Sequence, residues 1–246
     1  MSNLMFYQQP VPLNKATHKD KKIRSQNRTF EFSARTNSVI LAGVEFSEAS
    51  KEYPIVFAEA GKNIVPVAML GLRNGENLFV DESGLWDAHY IPAFVRRYPF
   101  VLADTPESDQ RVVCIDEAYE GFTDRDGEPL FDGEEPSPLL KQALDFLEQY
   151  QKQYVRTESF VKRLRDNELL MALNAKVDVL NGQQFGLTGL LAVDERKLVE
   201  LSDSKAIELF RTGELSWIYF HLTSLGCMGR IIERMAARHG GEKAKQ

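Results

Sequence analysis

"EEPSPLLKQALDFLEQYQKQY", Glu134 to Tyr154, is the stretch in which the chain changes its period. Ser137 offers a hydroxyl to orphan N–H groups of a helix start, and Pro138 suits a first helical turn, where no N–H donor is required. Leu140, Leu144, Leu147 and then Tyr150 or Gln151 recur at helical spacing, so a helix is expected from residue 138. "TESFVKRLRDNELLMAL" then reads as a second helix, with Thr157 as its cap.

Upstream of Glu134 the pattern belongs to strands. "SVILAGVEF" and "EYPIVFAEAG" are rich in Val, Ile and Phe and bounded by turn residues. "IVPVAMLGL" and "NLFV" flank Asn74-Gly75, which predicts a hairpin, because both central residues must tolerate positive φ. "FVDESGLW" and "FTDRDGEPLF" share an aromatic-x-Asp-x-x-Gly pattern that fits tight turns. "FVLAD" and "RVVCID" complete the strand set, with one short helix expected after Pro92. Downstream, Asn181-Gly182 separates two further β-like runs. "LSDSKAIELFRTG" reads as a helix capped by Ser202 and stopped at Gly213. A last helix is expected to bury Leu222, Leu225, Met228, Ile232 and Met235. The fold class is therefore α+β: a β-rich N-terminal half with hairpins and a helical C-terminal half with one further strand pair. Residues 1–35 read as a basic, partly extended arm, 36–240 as a single cooperative domain, and 241–246 as a disordered tail.

Composition narrows the function classes. A net charge of −6 argues against a nucleic-acid binder, since phosphate contacts need clustered Lys and Arg. The basic exception is "KATHKDKKIR", Lys15 to Arg24, a solvated arm or a docking point for something acidic. The start of the chain lacks a signal-peptide pattern, and its longest apolar run is far shorter than the ~20 residues of a membrane span. A cytoplasmic protein with no membrane span is expected. Cys114 and Cys227 lie far apart among apolar neighbours, the setting of buried thiols rather than of a disulfide or zinc site.

Catalytic signatures are absent from the text. His18-x-Asp20 has the spacing of two iron ligands but sits in a polar, Lys-rich segment. Asp124, Asp126, Glu128, Asp132 and Glu135 imitate a calcium loop, yet Pro129 stands where that loop needs Gly. His221 reads as a packed histidine. No metal and no other cofactor is expected.

One segment concentrates the remaining chemistry: "GLWDAHYIPAFVRRYPF", Gly84 to Phe100. Aromatic rings with adjacent arginines make up binding hot spots, although Phe94, Val95 and Phe100 are expected to pack inward. Core, contact surface and catalytic site all stay open for it. The candidate binding residues are Trp86, His89, Tyr90, Arg96, Arg97 and Tyr98, joined by Glu45, Asn77 and His18. Adjacent residues of a helix from Pro92 point ~100° apart, so Arg96 and Arg97 are expected to take different roles.

The run "EF…EYPIVF…LGL…ENLFV…GLW…YIP…RRYPF", with "PLNKATHKDKKI", "LLAVDERKLVEL" and "GELSWIYFHLTSL", resembles the SapC family of bacterial surface-layer-related proteins. That family is distinct from the peptide-transporter permease that shares its label. The resemblance carries no catalytic residues. It implies an accessory role, serving peptide-modifying enzymes or an S-layer or outer-membrane uptake system. The leading expectation is a non-catalytic protein that binds a peptide or protein partner, with no nucleic acid and with the oligomeric state open, a homodimer included. One alternative is an enzyme of unrecognised type using His18, Glu45 and Arg96; another is a structural S-layer-associated protein.

Overall fold

Residues 4–24, 29–105, 108–178 and 184–240 are described in the computed structural model of the chain. In chain order the strands are β1 (Pro10–Pro12), β2 (Lys22–Ile23), β3 (Ser38–Ile40), β4 (Ile55–Ala60), β5 (Asn63–Met69), β6 (Phe100–Thr105) and β7 (Ser108–Asp116). They continue with β8 (Phe122–Thr123), β9 (Glu128–Pro129), β10 (Phe131–Asp132), β11 (Glu135–Pro136), β12 (Leu170–Asp178) and β13 (Gln184–Val193). The helices are α1 (Lys15–His18), α2 (Phe46–Ala49), α3 (Ala93–Arg96), α4 (Pro138–Asp166), α5 (Glu195–Val199), α6 (Asp203–Arg211), α7 (Glu214–Ser224) and α8 (Met228–Gly240). All sheet pairing is antiparallel, and the fold is α+β, strand-rich before α4 and helical after it.

The main sheet runs β12-β13-β4-β5-β3, and a smaller one runs β1-β7-β6. Each has its own apolar cluster, and α4 serves both. Its first turns bury Leu140 and Leu147 with Phe100, Ile115 and Leu130. Its later turns bury Phe160, Val161 and Leu164 with Phe46, Phe57 and Trp217. At 29 residues, or ~43 Å, the helix is long enough to reach from one cluster to the other.

This continuity corrects the expected break at Thr157. No Pro or Gly interrupts residues 139–166. The Thr157 hydroxyl donates back to the Gln153 carbonyl at 2.7 Å and accepts the Gly43 N–H at 2.8 Å. It clasps the 42–45 turn to the middle of a helix instead of capping a new one. Ser137 does cap α4, its Oγ accepting from Leu140 N at 3.2 Å.

The strand expected through Phe46 stops at Ile40, because the chain there turns into a 3-10 turn and α2. The turn runs close under an indole: a Cβ on Gly43 would stand 2.3 Å from the Trp217 ring. The Asn74-Gly75 turn forms, with Gly75 at φ +78, but "NLFV" makes no ladder with β5. Leu78 N–H reaches Leu70 O at 2.8 Å, and Val80 forms an isolated bridge to Trp86. The Asn181-Gly182 turn and the 241–246 tail lie outside the described residues.

The basic segment meets acid within its own chain. β1 pairs with β7, and β2 lies between β8 and β9. Arg24 grips the Asp126 carboxylate with two hydrogen bonds of 2.8 and 3.0 Å, and Lys15 pairs with Glu134. His18, expected on a solvated arm, is buried: its Nδ1 accepts from Asn14 N at 2.9 Å, and its Nε2 lies 3.1 Å from Glu117.

The last helix also differs from expectation. It divides at a 3-10 turn, Leu225–Cys227, and buries Trp217, Ile218, His221, Ser224, Cys227, Ile231 and Met235. Of the expected stripe only Met235 is fully buried; Leu222, Leu225, Met228 and Ile232 are half-buried. The face shifted because two polar residues have backbone to satisfy. The pairing of Leu190 with Ala58 and Leu191 with Phe57, continued, sets Val193 opposite Ile55. Between those two, His221 supplies the missing bonds: Nε2 accepts from Val193 N at 3.0 Å, and Nδ1 donates to Ile55 O at 2.8 Å. Ser224 Oγ takes the Ile55 N–H at 2.9 Å.

An imidazole held this way must be neutral, and burial lowers its pKa from 6.5 to about 4. The unfolded chain therefore binds the extra proton between those values and the folded chain does not. Stability is full above pH 6.5 and falls, by at most ~3 kcal/mol, as the pH drops toward 4. Urea unfolding across that range should show the slope, and His221→Gln, which keeps a donor and an acceptor, should flatten it. An unchanged slope in the variant would assign the acid sensitivity to other groups.

Candidate functional site

The site grows from a buried carboxyl. Glu45 is 6% exposed and spreads its two oxygens over three donors. Oε2 accepts from Ala42 N at 2.8 Å, closing the 42–45 turn. Oε1 accepts from the Tyr90 hydroxyl at 2.8 Å and from Ala93 N, the first residue of α3, at 2.7 Å. Burial raises the Glu45 pKa above the ordinary carboxylate value, while the bonds from Ala93, Ala42 and Tyr90 and the nearby charge of Arg96 act in the other direction. Burial also raises the Tyr90 phenol.

Pro92 starts α3, and the short helix divides the paired arginines. Arg96 is exposed, its Nε donating to Ile91 O at 2.9 Å and its guanidinium lying 5.8 Å from the Tyr90 ring centre and 5.1 Å from that of Phe146. Arg97 is 4% exposed and turns inward, 4.0 Å over the Phe94 ring and 5.4 Å from Tyr150. Its charge and a hydrogen bond both bear on the Tyr7 phenol, as does the charge of Asp116. Tyr98 stacks on Phe32 at 4.0 Å and donates to Asp116 at 3.0 Å. A cis peptide joins Tyr98 to Pro99.

Two cavities open along this segment where it faces α4. The larger, of about 310 Å³, is lined by Ile23, Arg24, Arg96, Arg97, Tyr98, Pro99, Phe100 and Tyr119, and by Leu139, Gln142, Ala143 and Phe146 of α4. The smaller, of about 220 Å³, lies against Ala42, Val44, Glu45, Glu48, Tyr90, Ala93 and Arg96, and Phe146, Gln149, Tyr150 and Gln153 of α4. They share Arg96 and Phe146, so the two adjoin across that pair. The α4 residues that line them, from Leu139 to Gln153, fall on one helical stripe four turns long.

Five of the nine candidate residues meet here: Glu45, Tyr90, Arg96, Arg97 and Tyr98. The other four line neither cavity. Trp86 is half-buried on Phe30 and Phe79, and its indole N–H donates to the Tyr53 hydroxyl at 2.9 Å. Asn77 is 1% exposed and bonds Ser33 O and Phe79 N. His18 bonds Asn14 and Glu117 rather than joining Glu45 and Arg96. His89 is exposed. Sequence reading missed the α4 side of the groove, above all Phe146 and Gln142. The signal was present: Leu139, Ala143, Phe146 and Tyr150 make a second apolar stripe beside Leu140, Leu144 and Leu147, wider than one core contact needs.

The sequence profile of the SapC family matches residues 13–231, nearly the whole described fold. The chain belongs to the SapC family. No curated protein and no solved structure matches it. Every residue lining the two cavities, from Ile23 to Gln153, falls inside the SapC match, so the groove is built wholly from the family's own span. No helix among the described residues of this SapC chain is long and apolar enough to cross a membrane.

Proposed function

We propose that the protein binds a peptide or an extended segment of a partner protein in the groove between the Glu45–Tyr98 wall and α4, without catalysing a reaction on it. The observation that carries this reading is the meeting of two open cavities at Arg96 and Phe146. From Leu139 to Gln153 the helical stripe rises ~21 Å, room for about six extended residues. Half-buried Leu139, Ala143 and Phe146 supply apolar contact, and Tyr90 and Arg96 supply rings and planar donors. A floor of apolar and aromatic side chains interleaved with Gln142, Gln149 and Gln153 offers contact and amide hydrogen bonds along its length, which suits an extended segment. In keeping with the family, the partner segment belongs to an accessory role beside peptide-modifying enzymes or an S-layer or outer-membrane uptake system. A cytoplasmic setting is part of the reading, since Cys114 and Cys227 are both free and buried, with thiols that burial raises in pKa.

A photo-reactive residue at Gln142, on the groove, and at Lys205, on exposed α6, tests this in the native cell. Gln142 is expected to cross-link a discrete partner and Lys205 is not. The Gln142 product should fall several-fold when Phe146→Ala or Arg96→Ala is added. Equal cross-linking from both positions, or none from Gln142, would sink the reading.

A further inference from the structure

The smaller cavity is set apart by two neutral groups that its walls leave unpaired. Its charged members are all engaged. Glu45 takes three donors, Ala42 N, Ala93 N and the Tyr90 hydroxyl, and Glu48 takes Lys51 Nζ on its two oxygens at 2.7 and 2.8 Å. Arg96 bonds Ile91 O and the Tyr90 side chain and lies 5.1 Å from the Phe146 ring centre. On α4 the polar groups differ. Gln153 Oε1 is buried and accepts no hydrogen bond among the described residues. Tyr150 is 9% exposed, and its hydroxyl likewise bonds none of them. Residues three apart share one face of a helix, and both of these line the cavity. A buried carbonyl without a donor costs stability, so its persistence on a cavity wall calls for a ligand that supplies one.

An ion does not answer that pair. A carboxylate would set its oxygens against Glu45, Glu48 and Gln153 Oε1, and an ammonium would enter beside the Arg96 guanidinium. A carboxamide carries both a donor and an acceptor. It can pair twice with the Gln153 amide, whichever way that amide is turned, and the Tyr150 hydroxyl can serve either end of it. Its methylene stem would lie against Val44, Ala93 and Phe146. At about 220 Å³ the cavity is below the ~300–1,000 Å³ of common ligand pockets, a volume suited to one side chain. We propose that this cavity binds a neutral side-chain carboxamide, with the Gln153 amide as its hydrogen-bonding partner, the Tyr150 hydroxyl beside it, and Val44, Ala93 and Phe146 around its stem. The inference rests on the peptide reading, since the carboxamide is that of an Asn or Gln in the segment bound along the groove.

Titration of the full chain, followed by NMR, with four blocked dipeptides tests the chemistry. Each is N-acetyl-phenylalanyl-X-N-methylamide, with X as glutamine, methionine, glutamate or lysine, so the backbone amides are the same in all four. The glutamine probe is expected to bind about tenfold tighter than the methionine probe, which has its length but no amide, and tighter than both charged probes. Gln153→Met keeps the side-chain length and removes the amide, and should bring the glutamine and methionine probes within about twofold of each other. The same variant should hold or raise the melting temperature of the unliganded chain, because an apolar group replaces an unpaired carbonyl. Tyr150→Phe, which keeps the ring, should lower the glutamine preference a few-fold, and circular dichroism will show that both variants are folded. Equal binding of the glutamine and methionine probes, tighter binding of either charged probe, no binding of any probe, or an undiminished preference in Gln153→Met would overturn the proposal. If Gln142 captures a partner segment and the probes bind without a glutamine preference, the carboxamide inference fails alone. If the glutamine probe is preferred and no segment is captured, the peptide reading fails and the site takes its amide from a small ligand.

Discussion

Arg97→Ala is expected to lower folding stability by about 3–5 kcal/mol, whereas Arg96→Ala, one residue earlier, costs less than ~1 kcal/mol. The difference follows from ~100° of helical rotation. Arg97 is 4% exposed, and its guanidinium lies 4.0 Å over Phe94 and 5.4 Å from Tyr150, two rings of the larger core. Truncation removes both ring contacts, opens a void in the core, and takes away the charge and hydrogen bond that Arg97 brings to the Tyr7 phenol. Each of these is a mechanism that produces large losses, and here they coincide. Arg97→Lys should recover little, because an ammonium cannot lie flat against two rings. Arg96 is exposed, and what it loses, the Nε bond to Ile91 O and the contacts over the Tyr90 and Phe146 rings, is made at the surface. Urea unfolding of the three variants measures this. Near-wild-type stability of Arg97→Ala would mean that the guanidinium is not a structural member of the core and that the two arginines do not divide as the helix dictates.

That division was legible in the sequence because it depends only on local geometry: Pro92 starts a helix, and neighbours on a helix diverge. The same holds for α4, announced by Ser137, Pro138 and the leucine spacing, and for the Asp81 turn, whose Oδ1 accepts from Ser83 N and Leu85 N at 2.9 Å while Gly84 takes φ +79. What failed locally failed through distant partners. Thr157 looks like a cap until Gly43, far away in sequence, offers it an N–H. Trp86, Asn77 and His18 have the composition of a binding surface, yet each meets a group distant in sequence that a local pattern does not reveal: the Tyr53 hydroxyl, the Ser33 carbonyl and the Glu117 carboxylate. His221 and Ser224 break the apolar stripe of α7 because the β4–β13 ladder opens beside them, a fact fixed by strand pairing alone. The candidate site was half-legible for the same reason. Its Arg and Tyr wall lies in one continuous segment, while its floor is a second stripe on α4 that acquires meaning only once α3 lies against it.

Asp116→Ala is expected to be at least as damaging as Arg97→Ala, with a loss of about 3–5 kcal/mol, and its damage should begin at the N-terminus. The Asp116 side chain is fully buried at the end of β7 and accepts four hydrogen bonds. Gln8 N and Gln9 N donate at 3.0 and 2.8 Å, the Tyr98 hydroxyl at 3.0 Å, and Ala118 N at 3.3 Å. Its backbone faces Pro10 of β1, and Tyr7 adds a bond of 2.7 Å to the Phe100 carbonyl. One carboxylate thus ties three separated stretches together: the lead into β1, the turn after β7, and the arginine-bearing segment of the groove. Alanine leaves three backbone N–H groups and a phenol in search of acceptors and removes the anion that, with Arg97, acts on the Tyr7 phenol. Asparagine keeps one acceptor oxygen and should recover part of the loss, since neutral hydrogen bonds are roughly half as strong as charged ones. Because β1 is a short strand held by β7 alone, residues 4–24 should loosen before the main sheet does. Limited proteolysis of Asp116→Ala is expected to cut within that span under conditions that leave the wild-type chain intact, and Arg96-dependent cross-linking from Gln142 should fall with it, because Tyr98 loses its anchor. Protection of residues 4–24 equal to wild type, together with a stability loss below ~1 kcal/mol, would show that β1 and the helix α1 hold without the carboxylate and that the basic segment is anchored by its ion pairs to Asp126 and Glu134 instead.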